Sequence, residues 1–340
     1  MISMKSSYLT LLKSGELGRR VVLAKEILKK CILCPRRCEA NRLNGELGFC
    51  KSGVTAVFSS AGPHYGEEPP ISGPDVHRGG FGWGSAPSLP RGSGTIFFTG
   101  CNLRCLFCQN YQISQEYLGR PVAADELGQI MISLQEQGCH NINLVSPTHF
   151  VPQILESLLY AAENGLVIPI VYNTNGYDSI ETLKLMEGVV DIYLPDIKYS
   201  ENKQAEECSR VADYVEPNRL ALKEMYRQVG NLVTDENGIA RRGLLVRHLV
   251  LPQDKAGSFD SLEFIVREIS GTAYLSLMSQ YHPCYQAHQH PVLNRRLSRA
   301  EYEKVVNDAE SLGLENCYIQ NLISSDDFIP DFQKEKPFSR

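Results

Sequence analysis

Residues 141–198 read NINLVSPTHFVPQILESLLYAAENGLVIPIVYNTNGYDSIETLKLMEGVVDIYLPDIK. Three short apolar runs alternate here with two amphipathic stretches. The spacing predicts a strand over Asn141–Val145 and a helix over Val151–Asn164, ended by Gly165. A strand follows over Val167–Tyr172, then a helix over Ser179–Glu187 with Asp178 as its N-cap, then a strand over Val189–Leu194. Strand–helix–strand repetition implies parallel strands joined by right-handed crossovers.

The alternation extends both ways. Upstream lie a strand, Thr95–Thr99, and a helix, Ala124–Gln137, with Gly138 as C-cap. Downstream come a helix Pro217–Val229, a strand Leu244–Leu251, a helix Ser258–Ile269, a strand Ala273–Ser279 and a helix Ser298–Leu312. Cys317–Leu322 reads as one more short strand, and the tail after Ser324 is polar and expected to be loose. Roughly six strand–helix units exceed what a nucleotide-binding half requires. The expected fold class is α/β, a partial or full (β/α) barrel, with its chemistry at the C-terminal ends of the strands. No solenoid repeat is visible.

The region before the barrel differs. Tyr8–Lys30 carries Val21, Leu23, Ala24, Ile27 and Leu28 near helical spacing, which predicts one or two short helices. Gly62–Gly94, dense in Gly and Pro and holding Trp83, the one Trp, reads as a loop or linker. The expected organisation is a helical, Cys-rich metal module over 1–60, a linker over 61–94, a barrel over 95–322 and a tail over 323–340.

Composition narrows the function classes. Hydrophobic residues make up 43% and charged residues 21%, a globular balance that excludes a long disordered chain. Apolar runs such as Val167–Val171 and Leu244–Val246 are too short to span a membrane. Met1–Arg20 lacks the apolar core of a signal peptide, so a cytoplasmic setting is expected. The net charge of −5 argues against a broad nucleic-acid surface, though Arg241, Arg242, Arg247, Arg295, Arg296 and Arg299 could form a local patch.

The 11 cysteines fall into groups. Cys101, Cys105 and Cys108 are spaced C-x3-C-x2-C in GCNLRCLFCQN, directly after the strand Thr95–Thr99. Three thiolates on one loop suit an iron–sulfur cube with one iron left open, as a catalytic cluster requires. A three-Cys zinc site and reduced thiols without a role are the alternatives. Cys31, Cys34, Cys38 and Cys50 form a second group, C-x2-C-x3-C-x11-C, that suits a closed zinc site or an auxiliary iron–sulfur cluster. Spacing does not choose between them; the lack of nearby redox groups leans to zinc. Arg36 and Arg37 inside that loop could contact an anionic partner or offset thiolate charge. Cys139 and Cys317 read as packed thiols, and Cys208 suggests no role. Cys284 stands among His282, His288 and His290, either a substrate-contacting loop or an accidental cluster.

The three-Cys motif, with the aromatic Phe107 before its last Cys, resembles the signature of the radical S-adenosylmethionine (SAM) enzymes. GTIFFTGCNLRCLFCQNYQIS, NINLVSPTHF, YNTNGYD, DIYLPDIKY and RHLVLP resemble more narrowly the pyruvate formate-lyase activating enzyme-like branch. The likeness runs from about Cys31 to Leu312. It implies an oxidoreductase in which Cys101, Cys105 and Cys108 hold a [4Fe-4S] cluster and SAM chelates the open iron. Reductive cleavage of SAM would give a 5′-deoxyadenosyl radical that takes hydrogen from a substrate. An electron donor such as a flavodoxin or ferredoxin is implied, with oxygen sensitivity and an anaerobic setting.

The resemblance also assigns the strand ends. Asn173-Thr174-Asn175-Gly176 resembles a D-T-N-G stretch near SAM, with Asn173 where Asp is usual. Asp196 and Lys198 resemble a D-x-K stretch: Lys198 could pair with the SAM carboxylate and Asp196 with a ribose hydroxyl or a cation, or the two form a plain ion pair. Arg247 could reach an anionic group or be a strand-edge charge. His282 could approach SAM or substrate, or be an ordinary structured His. The family's G-G-E stretch, which binds the SAM amino group, is replaced by Val145-Ser146-Pro147-Thr148-His149, whose carbonyls or hydroxyls would have to serve. His149 itself reads as a helix-start His or a substrate-side acid or base. Three functions follow: activation of a glycyl radical enzyme; radical modification of another protein, an RNA or a small molecule; and a metal-binding adaptor with no SAM chemistry.

Overall fold

The computed structural model describes residues 6–73, 92–322, 329–334 and 337–338. The chain opens with α1 (Tyr8–Lys13) and α2 (Glu16–Ile27), then β1 (Ala56–His64), the single turn α3 (Pro69–Ser72) and β2 (Ser93–Phe98). After α4 (Tyr111–Ser114) and β3 (Arg120–Val122), helices and strands alternate: α5 (Ala124–Glu136), β4 (Ile142–Val145), α6 (Val151–Glu163), β5 (Ile170–Thr174), α7 (Ile180–Met186) and β6 (Ile192–Pro195). Then come α8 (Asn202–Ser209), α9 (Val215–Val229), β7 (Val233–Thr234), β8 (Ala240–Leu249), α10 (Ser258–Phe264), β9 (Tyr274–Met278), α11 (Arg299–Ser311) and β10 (Cys317–Ile319).

One sheet carries them, in the order β10-β9-β8-β6-β5-β4-β2-β1-β3, with β7 beside β8. From β2 to β10 the neighbours are parallel; β1 adds to β2 antiparallel, and β3 to β1. No pairing among the described residues closes the sheet, so the barrel is partial. Strands β2, β4, β5 and β6 are buried at every position, the mark of parallel strands covered on both faces. Outside them, α6 buries Ile154, Leu155, Leu158 and Ala161, and α2 lays Leu17, Val21 and Ala24 into the same core.

The N-terminal residues are part of this body. Tyr8 Oη donates to the Ile168 carbonyl (3.1 Å), and the Ser7 amide donates to Asp191 Oδ1 (2.8 Å). β1 runs through residue 60 as far as His64, paired with Ser93, so the first residues of the expected linker are strand. Residues 65–73 then cross beneath the sheet's N-terminal ends. Ile71 packs with Val171, Ile192, Leu194 and Leu245, and its carbonyl accepts from Asn141 Nδ2 (2.8 Å). This segment is the floor of the barrel lumen. The rest of the expected linker, 74–91 with Trp83, lies outside the described residues.

The polar tail is not uniformly loose. Phe332 is buried against Phe97, ring centroids 5.3 Å apart, and its amide donates to Gln112 Oε1 (2.7 Å). Two apolar rings in a polar stretch are enough to bring it back onto the sheet. The helix expected over Ser258–Ile269 is α10 followed by a π-helical turn, Ile265–Ile269. The N-cap of α7 is Ser179, whose Oγ accepts from the Thr182 amide, and not Asp178.

Candidate active site

The three-Cys loop leaves the C-terminal end of β2, where barrel chemistry is expected. It starts at Gly100, φ 86°, where a Cβ would lie 2.7 Å from the Cys50 carbonyl oxygen, so only glycine fits. Two walls clamp the loop. From α8, the Ser209 and Cys208 carbonyls accept from the Arg104 (3.0 Å) and Leu106 (2.8 Å) amides. From the loop after β9, the Gln286 amide donates to the Leu106 carbonyl (3.0 Å) and Cys284 Sγ to the Phe107 carbonyl (3.4 Å). Phe107 is buried edge-on to Tyr281.

Each thiol of the motif has a polar partner. Asn175 Nδ2 donates to Cys101 Sγ (3.4 Å), as does the Leu103 amide (3.4 Å). Ser209 Oγ donates to Cys105 Sγ (3.0 Å), and Cys108 Sγ lies 3.2 Å from Ser114 Oγ. Burial pushes the Cys108 thiol up to about 12 and raises Cys101, and the charge on Cys105 adds to both. Thiols that resist ionising alone, yet sit among donors aimed at sulfur, are placed for cationic iron rather than for a free thiolate. The donor set fits an iron–sulfur cluster.

Beside the loop lies a buried ionic group. Lys198 Nζ donates to Asp196 Oδ2 (2.6 Å), and Arg247 Nε to Asp196 Oδ1 (3.2 Å). Burial alone would raise the Asp196 carboxyl; Lys198 and Arg247 overcome it and hold it below the ordinary range. Burial opposes the Lys198 charge, but Asp196 and the nearby Cys105 sulfur leave it raised. Arg247 also donates to Asn173 Oδ1 (2.7 Å) and pairs with Glu67 Oε2 (3.3 Å). Asn173, Asp196, Lys198 and Arg247 are thus brought together beside the cluster loop.

Glu67 and Glu68 stand in the stretch expected to be a linker. They reach up from the lumen floor. Glu67 Oε1 accepts from Asn143 Nδ2 (3.0 Å) and Asn173 Nδ2 (3.3 Å). Burial raises both carboxyls, and Arg247 offsets this only in part. Glu68 Oε2 and Asn143 Oδ1 are buried acceptors with no partner among the described residues. Thus the lumen carries acceptors on its floor and cations near its rim.

The other expected residues divide. Thr174 turns away from the lumen: its Oγ1 donates to Asp178 Oδ2 (2.6 Å). Thr148 Oγ1 and Tyr172 Oη donate to Asp178 Oδ1 (2.7 and 3.0 Å), so the Thr148 hydroxyl is committed. Ser146 holds φ 55° just after β4, a left-handed conformation that favours glycine. Gly176, φ 77°, lies against the Asp196 carbonyl and Asn218, with no room for a Cβ. His149 is buried, its pKa pushed down to about 3, and its neutral ring donates from Nε2 to the Thr99 carbonyl (2.9 Å). It props the cluster loop instead of facing substrate. His282 is half-buried in the loop after β9, where Gln109 Nε2 donates to the Gln280 carbonyl (3.0 Å). His290 pairs with Glu207 (2.8 Å), and Cys284 is a packed thiol.

Cys31, Cys34, Cys38 and Cys50 line one pocket. It adjoins the cluster loop at Asn102, whose carbonyl accepts from Arg36 Nε (2.6 Å).

Residues 95–231 match the family model described as the radical SAM superfamily. The chain belongs to the radical SAM superfamily. Two uncharacterized proteins of Methanocaldococcus jannaschii resemble this radical SAM chain along most of their length. One is 32% identical over 315 residues, 90% of this chain and 82% of the relative. The other is 28% identical over 272 residues, 76% and 72%. Among solved structures, SuiB of Streptococcus suis is similar at 13% identity over 67% of this chain, with TM-score 0.46. The match takes in 49% of SuiB, so the chain spans about half of that protein's length. A radical SAM methyltransferase from Sphaerobacter thermophilus is similar at 12% identity over 68% of each chain, with TM-score 0.42. Membership implies a [4Fe-4S] cluster and SAM. Among the described residues no helix is long and apolar enough to cross a membrane.

Proposed function

We propose that this radical SAM enzyme abstracts a hydrogen atom from a polar substrate that enters at the C-terminal ends of the strands and lays N–H or O–H donors on the acceptors of the lumen floor. One observation carries the reading: Asn143 Oδ1 and Glu68 Oε2 are buried with no hydrogen-bond partner among the described residues, in a lumen whose floor is formed by residues 65–73. A buried acceptor left unmade costs about 1–3 kcal/mol, which a donor-bearing substrate would remove.

Cys101, Cys105 and Cys108 would hold the cluster. When bound, the cluster and SAM supply one-electron cleavage of the sulfonium and hence a carbon-centred radical. The chain positions and shields. Ser209, Asn175 and Ser114 direct hydrogen bonds at the three sulfurs. Lys198 presents its ammonium beside the loop, with Asp196 fixing its position, to receive the SAM carboxylate. Arg247 spans rim and floor and holds Asn173 and Glu67 in place. The buried walls of the lumen exclude water, which protects a radical from side reactions.

A backbone glycine of a partner enzyme is the first substrate to try, because the N-T-N-G and D-x-K stretches resemble those of activating enzymes and a peptide also offers N–H donors. The protein would be reconstituted with iron and sulfide without oxygen, reduced, and given SAM, with Cys105→Ala as control. Formation of 5′-deoxyadenosine by the wild type alone supports the reading. No product above the control, with the cluster confirmed present, overturns it for the isolated chain and favours a metal-binding adaptor. Deuterium transfer from labelled peptide or metabolite fractions into 5′-deoxyadenosine then separates a protein substrate from a small one.

A further inference from the structure

We propose that Cys31, Cys34, Cys38 and Cys50 hold a second [4Fe-4S] cluster, closed by four thiolates, which passes electrons to the cluster of Cys101, Cys105 and Cys108. The site stands on its own geometry; only its role rests on the radical chemistry proposed above.

A tight turn brings Cys31, Cys34 and Cys38 to the pocket that Cys50 also lines. The Cys31 amide donates to the Ala40 carbonyl (3.1 Å), the Glu39 amide to the Cys31 carbonyl (3.0 Å) and the Arg37 amide to the Cys34 carbonyl (3.0 Å). Gly48 makes room for the Cys38 sulfur, which a Cβ there would strike. The pocket asks for negative charge. Arg42 lines it and is 2% exposed; its Nη1 donates to the His149 carbonyl (2.6 Å), its Nη2 lies 3.5 Å from Cys50 Sγ, and its buried Nε has no partner among the described residues. Among the described residues no carboxylate forms an ion pair with Arg42. A buried guanidinium stays charged and needs an anion. Four thiolates around iron carry net negative charge and supply it.

Cluster is favoured over zinc by the arrangement of the sulfurs. A single zinc draws its thiolates to about 2.3 Å from one point. The four thiols line the pocket, and among the described residues no three Cys, His, Asp or Glu side chains converge for a single ion. Among the described residues the thiols of the Cys101 loop do not converge for a single ion either, as suits a cube that spreads its ligands over its corners.

A closed cluster has no iron for substrate, so its chemistry is electron transfer. The site runs from exposed Cys38 inward to buried Cys50, whose carbonyl packs against Gly100 beside Cys101. Asn102 lines the pocket and accepts from Asn175 Nδ2 (2.7 Å), the group that also donates to Cys101. A low-potential carrier, a reduced ferredoxin or flavodoxin, would give one electron and be oxidised by one. The second cluster would go from 2+ to 1+ and return to 2+ as the first gains that electron, with no bond or proton exchanged.

The test uses the full chain, reconstituted without oxygen. About eight irons per chain are expected, falling to about four in Cys34→Ala/Cys38→Ala and to about four in Cys101→Ala/Cys105→Ala/Cys108→Ala. After reduction, the triple variant should retain a [4Fe-4S] electron paramagnetic resonance signal that SAM leaves unchanged, whereas SAM shifts the signal of the double variant. The double variant should lose 5′-deoxyadenosine formation with reduced ferredoxin or flavodoxin but keep it with dithionite. If the double variant does not fold, the triple variant alone decides the site by its iron and its spectrum. Stoichiometric zinc in place of the second set of irons, or an iron-free triple variant, overturns the site. Equal rates in double variant and wild type with the protein carriers overturn the role. Absence of any SAM effect on either signal, with eight irons present, would instead count against the radical reading and leave the second cluster standing.

Discussion

Ser209 Oγ donates a 3.0 Å hydrogen bond to Cys105 Sγ, from a residue 104 positions further along the chain. Tyr199 Oη lies 2.6 Å from the same hydroxyl and fixes its direction. Hydrogen bonds to cluster sulfur favour the reduced state. Ser209→Ala should therefore keep full iron content and lower the midpoint potential by on the order of tens of millivolts. A redox titration followed by electron paramagnetic resonance reads this directly, and an unchanged potential would show that the bond is absent in the loaded protein.

Asp196 is the shared anion of two buried cations. Removing Asp196 leaves Lys198 desolvated and unpaired, while Arg247 keeps Glu67; breaking such a buried pair costs about 3–5 kcal/mol. Asp196→Ala should therefore lower the melting temperature of the apo chain sharply, whereas Lys198→Met, which leaves Asp196 paired with Arg247, should cost less. If Lys198 receives the SAM carboxylate, Lys198→Met should instead weaken SAM binding to the reconstituted protein by about tenfold or more. Calorimetric titration with SAM separates the two effects.

Glu68 gives a pH prediction. Burial raises its carboxyl in the fold above the unfolded value of about 4.3. The folded chain then holds this proton more tightly than the unfolded chain. Its stabilising effect is complete below the unfolded pKa and is lost as pH rises toward the folded one, at up to about 1.4 kcal/mol per pH unit. Glu68→Gln keeps a neutral polar group at the site. Apo wild type and variant should melt alike at pH 4, with the variant increasingly more stable as pH rises through the window. A gap independent of pH would contradict the assignment.

Gly176→Ala meets the Asp196 carbonyl and Asn218 with a backbone already at φ 77°. The Asp196 carbonyl cannot withdraw without moving the strand end, and Asn218 Nδ2, from α9, is held by the Gly176 and Asp196 carbonyls (3.1 and 3.0 Å). A loss of about 2 kcal/mol or more is expected from denaturant unfolding, together with weaker SAM binding, because Asn175 is displaced from Cys101. Gly165→Ala, whose glycine has open space and φ 99°, should leave SAM binding unchanged.

Much of the scaffold was legible because its signals are local. The helices at Ala124–Glu136, Val151–Glu163 and Arg299–Ser311 carry their period in their own sequence, and the last also its Ser298–Glu301 capping box. The spacing of Cys101, Cys105 and Cys108 is likewise contiguous. What escaped depends on distant contacts. β1, AVFSSAGPH, is poor in strand formers and contains Gly and Pro; it is held by pairing with β2 and β3 on either side. Glu67 looked like linker because its partners lie 76, 106 and 180 residues away. Asp178 and Ser179 are both good caps, and the choice fell to Ser179 because three hydroxyls on other elements claim the Asp178 carboxylate. Ser209 has no motif, and only the fold brings it to Cys105.

The lumen floor is laid down early and completed late. Glu67 leaves the ribosome 180 residues before its partner Arg247. At about 5–20 residues per second, that interval is on the order of ten to forty seconds. During it, Ile71 and the two carboxyls have no finished barrel to enter, and β1 waits for β2 before it can pair. The nascent chain therefore carries an unpaired strand only until β2 follows it, but leaves Ile71 without Leu245 for about half of its translation. The same threading means that a shortened chain starting at residue 95 would lose its floor along with its N-terminal cysteines, and would expose Val171, Ile192 and Leu245 to water from below.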